Sequence, residues 1–338
     1  MNRRRAAAAG ALLLAVVPVA GAATLPMSYL RTYGPAGDPA TRLGWGLGVI
    51  SIIVMVVIAV LLLAAVLRRR APLTQARALA TDRDEGGMSW LYVGVGISTL
   101  VLIACTIWTM FTIAAVAMPA RAAQDIRITG AQWWWQVQYQ AAEASQMFST
   151  ANEIHVPVGQ PVRLELASDD VIHSFWVPQL VGKTDVIPGQ TNTMWLQADQ
   201  PGTYRGQCGE YCGAQHAHMA MFVVAQTPED YAAWLQAQRK PAVEASTPAA
   251  QSGERAFLAH CAACHTVRGT GAGGILGPDL THLMSRQTIA AGLLPNNQGN
   301  LTAWIANSQA FKPGTRMPTL ALDSDDLTSI VAYLTTLK

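Results

Sequence analysis

Four soft donors fall within twelve residues of this chain: Cys208, Cys212, His216 and Met219, in Cys208-Gly-Glu210-Tyr-Cys212-Gly-Ala-Gln-His216-Ala-His218-Met219. His173 lies 35 residues upstream. Thiolate, imidazole and thioether select copper over hard cations, and one cysteine, one histidine and one methionine would make a mononuclear blue-copper set. The second cysteine and second histidine suit two copper ions bridged by both sulfurs, with one histidine on each metal.

A second redox motif follows. Cys261-Ala-Ala-Cys264-His265 has the spacing of covalent c-type haem attachment. Cys261 and Cys264 would form the thioethers, and His265 would be the proximal iron ligand. The opposite ligand needs a soft or nitrogen donor from a distant loop. Met317, 52 residues after His265, is favoured, with His282 and Met284 as competitors 17 to 19 residues downstream. Two disulfides in an oxidising compartment are the bland alternative for these four cysteines, but the flanking histidines and methionines argue against it. The fifth, Cys105, lies in an apolar helix and reads as a buried, inert thiol.

Positioning such sites takes a scaffold, and the composition divides the 338 residues into a membrane part and a soluble part. Hydrophobic residues make up 51% and charged residues 13%, and the apolar excess is concentrated before residue 120. Residues 1–22 read as a signal peptide, with Arg3, Arg4 and Arg5 ahead of an apolar run and Ala20-Gly-Ala22 as the cleavage site. An uncleaved first membrane helix is the alternative, but the run is short for a bilayer of about 30 Å. Removing three arginines moves the charge from 23 − 21 = +2 to 20 − 21 = −1, so the balance gives no sign of nucleic-acid binding.

Residues 23–120 then carry two uncharged runs, about 45–67 and 90–118, each long enough to span a membrane. Five arginines (68, 69, 70, 77 and 83) lie between them. The positive-inside rule puts that loop in the cytoplasm and the rest of the chain outside.

Residues 121–226 read as short strands separated by Gly, Pro and Asp clusters, which suggests a β-sandwich with the copper ligands on loops at one end. One of these strands is expected over Ile126 to Tyr139. Residues 227–253 read as a short helix to about Gln238, opened by Thr227-Pro228-Glu229-Asp230, and then an Ala/Ser/Thr/Pro-rich linker. Residues 254–338 form an all-α haem domain with helices at Glu254 to Cys261, around Asn300 to Asn307, and Asp323 to Leu337. The sandwich carries a formal charge of 5 − 9 = −4 and residues 251–338 carry 6 − 5 = +1. Complementary fields would favour transient association across a flexible linker.

Several stretches together resemble subunit II of haem–copper cytochrome c oxidases. They are Asp170-Val-Ile-His173-Ser, Lys183-Thr-Asp185-Val-Ile-Pro-Gly189, Pro201-Gly-Thr-Tyr-Arg-Gly-Gln-Cys208 onward, His216-Ala-His218-Met219, and Gln132-Trp133-Trp134-Trp135. The appended haem domain resembles the caa-type subgroup, in which this subunit carries its own cytochrome c.

The resemblance implies a two-helix transmembrane hairpin, a cupredoxin-like β-sandwich and a class I cytochrome c domain. It implies a dinuclear CuA centre bridged by Cys208 and Cys212, with one copper on His173 and the other on His216. Met219 and the Glu210 carbonyl would be weak ligands. Bridging thiolates spread one unpaired electron over both metals, which limits bond-length change between redox states. By the same resemblance the Glu210 carboxylate reaches a magnesium ion shared with subunit I, in an oxygen-rich environment suited to that cation, and Asp185 supports that interface.

Trp133 matches the family's electron-entry tryptophan, although Trp134 stands where tyrosine is usual and at least two of the three tryptophans would be core or membrane-interface aromatics. Glu85 marks either a proton entry or, more simply, a solvated carboxylate. His218 and His155 read as surface residues beside the ligand set. Met317-Pro318 resembles the distal methionine loop of class I cytochromes c, whose methionine–histidine ligation raises the haem potential. Gly277-Pro278-Asp-Leu280 resembles the loop whose proline carbonyl orients the proximal histidine.

The function implied is electron input to a terminal oxidase of the bacterial plasma membrane. Subunit I, subunit III and a cytochrome c or reductase donor would be its partners. Neither long apolar run contains a histidine, so the oxygen-reducing site belongs to another subunit. The alternatives are the input subunit of a different haem–copper enzyme, such as a nitric oxide reductase, and a membrane-anchored copper carrier.

Overall fold

The computed structural model of the chain describes residues 27–68, 87–117 and 122–338. The signal segment, Glu85 and most of the arginine-rich loop lie outside the described residues.

Two helices, α1 (Asp38–Leu67) and α2 (Gly87–Ala115), are uncharged over most of their length and present their apolar side chains outward, with Met55, Val66 and Phe111 among the most exposed. A helix of 30 residues is about 45 Å long, ample for a bilayer. Cys105 on α2 is partly rather than fully buried. The N-terminal end of α1 and the C-terminal end of α2 are fastened to the same soluble domain. Tyr33 N–H donates to the Gln179 carbonyl (2.8 Å), and Trp195 Nε1 donates to the Val116 carbonyl (3.0 Å).

That soluble domain is a β-sandwich. One sheet has the order β3-β2-β1-β5-β8: β1 (Gln124–Ala131), β2 (Trp134–Tyr139), β3 (Phe148–Ala151), β5 (Val162–Ser168) and β8 (Asn192–Leu196). The second sheet has the order β4-β10-β9: β4 (Glu153–Pro157), β9 (Gly202–Gln207) and β10 (Ala220–Gln226). A ribbon of β6 (His173–Val177) and β7 (Val181–Val186) closes one end. Alternation drives the packing: every second residue of β2 (Trp135, Val137, Tyr139) is buried against Ile126, Leu164 and Phe175.

The stretch expected as a single strand is two. β1 and β2 form a hairpin paired Ala131↔Trp134, with Gln132-Trp133 at its turn. The turn therefore lifts Trp133 out of the ladder, at the end of the sandwich that carries His173. His155 also departs from the surface reading. It is 9% exposed, donates from Nδ1 to Gln226 Oε1 at 2.8 Å, and stacks on Trp234 at 4.1 Å. Trp234 belongs to α3 (Pro228–Arg239), a helix capped by Thr227 that lies over β4 and β10.

The last domain packs α4 (Pro248–His260) against α7 (Ser324–Leu334), with α5 (Gln298–Ala306) and α6 (Ser308–Phe311) beside them. Phe257, Leu301, Ile305, Ile330, Tyr333 and Leu337 form its core. The first helix starts at Pro248, six residues before the expected Glu254, because Thr247 caps it and Pro248 fits its first turn. Much of the expected linker is therefore helical. Ala245 is buried in the haem-domain core, and the Ala242 N–H donates to the Arg268 carbonyl (2.9 Å).

Candidate metal centre

The β9–β10 hairpin builds most of the first site. Gln207 pairs with Ala220, so the next residues outward, Cys208 and Met219, face each other across the loop, and Cys208 N–H donates to the Met219 carbonyl (2.9 Å). The Gly209 N–H donates to the Ser174 carbonyl (2.9 Å). That bond draws β6, and with it His173, against the same loop. His216 opens a short 3-10 turn, His216–His218, that returns the chain to the site.

The donors converge. Cys208 Sγ lies 3.7 Å from Cys212 Sγ, 3.9 Å from His173 Nδ1 and 3.2 Å from the Glu210 carbonyl oxygen. Cys212 Sγ lies 3.6 Å from His216 Nδ1 and 3.8 Å from Met219 Sδ. Both cysteines are free and buried, and their sulfurs are far beyond the roughly 2 Å of a disulfide. Separations near 3.6–3.9 Å are those of donors about 2.0–2.3 Å from a shared metal at tetrahedral angles.

Electrostatics favour one thiolate at once. The Cys212 thiol hydrogen-bonds to Cys208 and, with His173, holds the Cys208 thiol well below its ordinary range, against the opposing effect of burial. The same pairing, together with burial, pushes Cys212 up. Binding a bridged metal pair must displace the proton that remains.

The ligand shell is itself held. Asp170 Oδ1 lies 2.9 Å from His173 Nε2, which leaves Nδ1 for the cluster. Burial alone would raise the Asp170 carboxyl. Hydrogen bonds from Gln132 N–H (2.7 Å), His173 and Val171 N–H (2.7 Å) reverse that and hold it low. Behind His173, Gly130 leaves room for the ring: a Cβ there would sit 2.8 Å from His173 Cδ2. Gln132 Nε2 and Trp133 Nε1 both donate to the Cys212 carbonyl, at 2.7 and 2.9 Å. His218 is exposed and bonds Gln215 Oε1 (2.7 Å), away from the sulfurs. Glu210 and Asp185 are exposed, and Glu210 adjoins Tyr211, itself 75% exposed, at the loop tip.

The second site is a cleft of about 290 Å³ in the haem domain, lined by Cys261, Cys264, His265, Pro278, Met317 and, from the sandwich, Trp133. The Pro278 carbonyl lies 2.8 Å from His265 Nδ1, so Nε2 carries the free lone pair. Gly277 permits this: a Cβ would come within 2.6 Å of His265 Cε1. Burial lowers the His265 pKa, which favours the neutral, metal-binding form.

Of the competing distal ligands, His282 spends both ring nitrogens on the Lys338 and Lys240 carbonyls (2.6 and 3.0 Å), and neither it nor Met284 lines the cleft. The Met317 loop is held from behind by Ser308 Oγ (2.8 Å) and Gln309 Nε2 (2.7 Å), both donating to the Met317 carbonyl. Arg286 also lines the cleft, and its Nε is buried without a partner. Two thiols, an imidazole and a thioether around one apolar cleft fit a covalently held haem, as the sulfur and nitrogen cluster fits copper.

Three contributors were not read as functional from sequence. Asp170 had a signal, a carboxylate three residues before a candidate ligand histidine. Lys312, which reaches the Trp133 carbonyl (2.6 Å), and Glu153, whose Oε1 accepts from Gln287 and Thr288 N–H (2.6 and 3.1 Å), had none, because their partners lie more than 130 residues away.

Comparison with known proteins agrees with this geometry. Residues 124–226 match the family described as cytochrome c oxidase subunit II, periplasmic domain, and residues 250–338 match the cytochrome c family. Cytochrome c oxidase subunit 2 of Bacillus sp. strain PS3 is 31% identical over 74% of this chain and 73% of its own length. The Bacillus subtilis protein of that name is 27% identical over 97% of both chains. That of Alkalihalophilus pseudofirmus is 40% identical over 63% of this chain, and the match spans 61% of the relative's length. The chain belongs to the cytochrome c oxidase subunit 2 family, in the form that carries a C-terminal cytochrome c domain.

Proposed function

We propose that this chain is the electron-input subunit of a caa-type terminal oxidase. It takes electrons from a soluble or membrane cytochrome c, or from a reductase complex. It delivers them to haem in subunit I, where O2 is reduced to water with proton pumping. Subunit III completes the assembly. The two helices anchor it as a multi-pass protein of the bacterial plasma membrane, with the sandwich and haem domain on the outer side. The attachment of both outer helix ends to the sandwich supports that arrangement.

Cys208, Cys212, His173 and His216 would hold a dinuclear CuA centre, with Met219 and the Glu210 carbonyl as its weaker ligands. Cys261 and Cys264 would hold haem c covalently, and His265 and Met317 would ligate its iron. When bound, each group supplies a reversible one-electron couple. The protein supplies rigidity: Asp170 orients His173, the Pro278 carbonyl orients His265, and the sandwich fixes the hairpin that carries the thiolates. Trp133 bridges the two sites, since it lines the haem cleft and donates its indole N–H to the Cys212 carbonyl. That juxtaposition is the observation that carries the reading. The exposed Glu210 carboxylate would be the chain's contribution to a magnesium ion, the other ligands coming from subunit I, and Asp185 would lie in the same polar interface.

Stopped-flow reduction of the purified complex by reduced cytochrome c tests this. The chain's own haem is expected to be reduced first and the copper centre after it. A Cys261→Ala/Cys264→Ala variant whose copper centre is reduced by the donor at the wild-type rate would contradict the order.

A further inference from the structure

The segment just before Met317 carries two cations, and both reach into the sandwich. Lys312 is 2% exposed, and its ammonium donates to the Trp133 carbonyl (2.6 Å) and the Ala290 carbonyl (3.2 Å). Among the described residues, no carboxylate lies within salt-bridge distance of it. Burial pushes the Lys312 amine down to about 7, and a buried amine with no paired charge is costly whether it ionises or not, so its stem and head are held at a place the fold specifies at some expense. Arg316 lies 3.2 Å from Asp170 Oδ2, the carboxylate whose other oxygen contacts His173. Between them, the Pro313 carbonyl accepts from Gln215 Nε2 (2.8 Å).

The opposite side of the cleft is closed as firmly. Glu153 takes the Gln287 and Thr288 N–H groups, and the Ala220 N–H donates to the Ala291 carbonyl (3.1 Å). These contacts leave Trp133 7% exposed. They are short-range bonds between named atoms, buried at Lys312 and partly exposed at Arg316, unlike the diffuse charge attraction expected from the −4 and +1 domain charges.

We propose that Lys312 and Arg316 are positioning residues that clamp the haem cleft onto Trp133 and Asp170, so that electrons pass between the two sites of this chain without domain motion. This rests on the electron-input reading above. The step moves one electron and no atoms: the haem iron is oxidised by one unit and the copper pair reduced by one. Lys312 fixes the distance across which that electron travels, and Arg316 fixes the angle of the Met317 loop to the His173 side of the copper site.

The test is flash-induced reduction of the haem in the full chain within its complex, following haem-to-copper transfer at varied salt and glycerol. The wild-type rate is expected to be independent of both. Lys312→Met keeps the stem and removes the charge. Lys312→Met is expected to slow transfer several-fold and make it viscosity-dependent, beyond what the potential shift from losing a charge beside Cys212 and the cleft accounts for, with the methionine–haem absorption unchanged. Lys312→Arg should recover most of the rate, and adding Arg316→Gln to Lys312→Met should slow it further. A Lys312→Met rate equal to wild type, or a wild-type rate that falls in proportion to viscosity, would overturn the proposal. The second result decides the matter even if the variant fails to assemble. Absence of haem or copper from the wild-type chain would instead defeat the electron-input reading.

Discussion

Replacing Asp170 by asparagine isolates what the copper ligands owe to their surroundings. The carboxylate serves four donors: Val171 N–H (2.7 Å) and His173 Nε2 (2.9 Å) on Oδ1, Gln132 N–H (2.7 Å) and Arg316 (3.2 Å) on Oδ2. Asparagine offers one carbonyl oxygen, so whichever way it turns, its NH2 faces two of these donors. If it keeps the His173 side, the Gln132 N–H beside Trp133 loses its acceptor. If it keeps the Gln132 side, the His173 ring loses the partner that fixes its tautomer.

A hydrogen bond to a charged group is worth about 1.5–3 kcal/mol. Loss of such an outer partner typically costs 10–100-fold in metal affinity, or about 1.4–2.7 kcal/mol. The assay is competition between the purified full chain and a copper chelator of known affinity, with melting of the copper-free protein measured separately to remove any loss of fold stability. Asp170→Asn should bind copper 10–100-fold more weakly, with altered nitrogen hyperfine coupling from one histidine. Affinity within twofold of wild type and an unaltered spectrum would refute the idea that Asp170 holds His173 in place.

Three further outcomes follow from the geometry. Burial holds His155 at about 4 against an ordinary 6.5. The unfolded chain therefore takes up that proton first, and the stability contributed by neutral His155 is full above about pH 6.5 and lost as pH falls toward 4, by about 3 kcal/mol. Glu153, 4.0 Å away and raised by burial, opposes part of this, so melting of the His155→Gln chain between those pH values should be flatter than wild type. Gly277→Ala should block covalent haem attachment, because the new methyl meets the His265 ring, while Gly273→Ala, with open space at its Cβ, should not; haem per chain measures both. Cys212→Ser should abolish the shared-electron copper signal and leave haem content intact, and a normal signal would contradict the bridging role.

The sequence carried the chemistry better than the assembly. Cys208, Cys212, His216 and Met219 are legible because a hairpin places ligands four, four and three residues apart on one loop. The two membrane helices are legible because a bilayer admits few alternatives to a long uncharged run. Thr247-Pro248 has the same capping grammar as Thr227-Pro228, which was read as a helix start, yet the surrounding Ala, Ser and Pro made it look like linker. Composition over a window hid a local signal. His155 looked exposed because its strand is short and polar at one end; the cover comes from Trp234, 79 residues on, which periodicity does not register. Lys312, Arg316 and Glu153 belong to a contact between domains, and their partners are specified only once both domains have folded.

The most direct test of the account is electron paramagnetic resonance, with copper and haem quantitation, on the full chain in its assembled complex. One unpaired electron shared equally by two coppers, together with one covalent haem per chain, is the predicted result. A single-copper signal, or copper that exchanges freely into a chelator, would contradict it and mark the chain as a metal carrier.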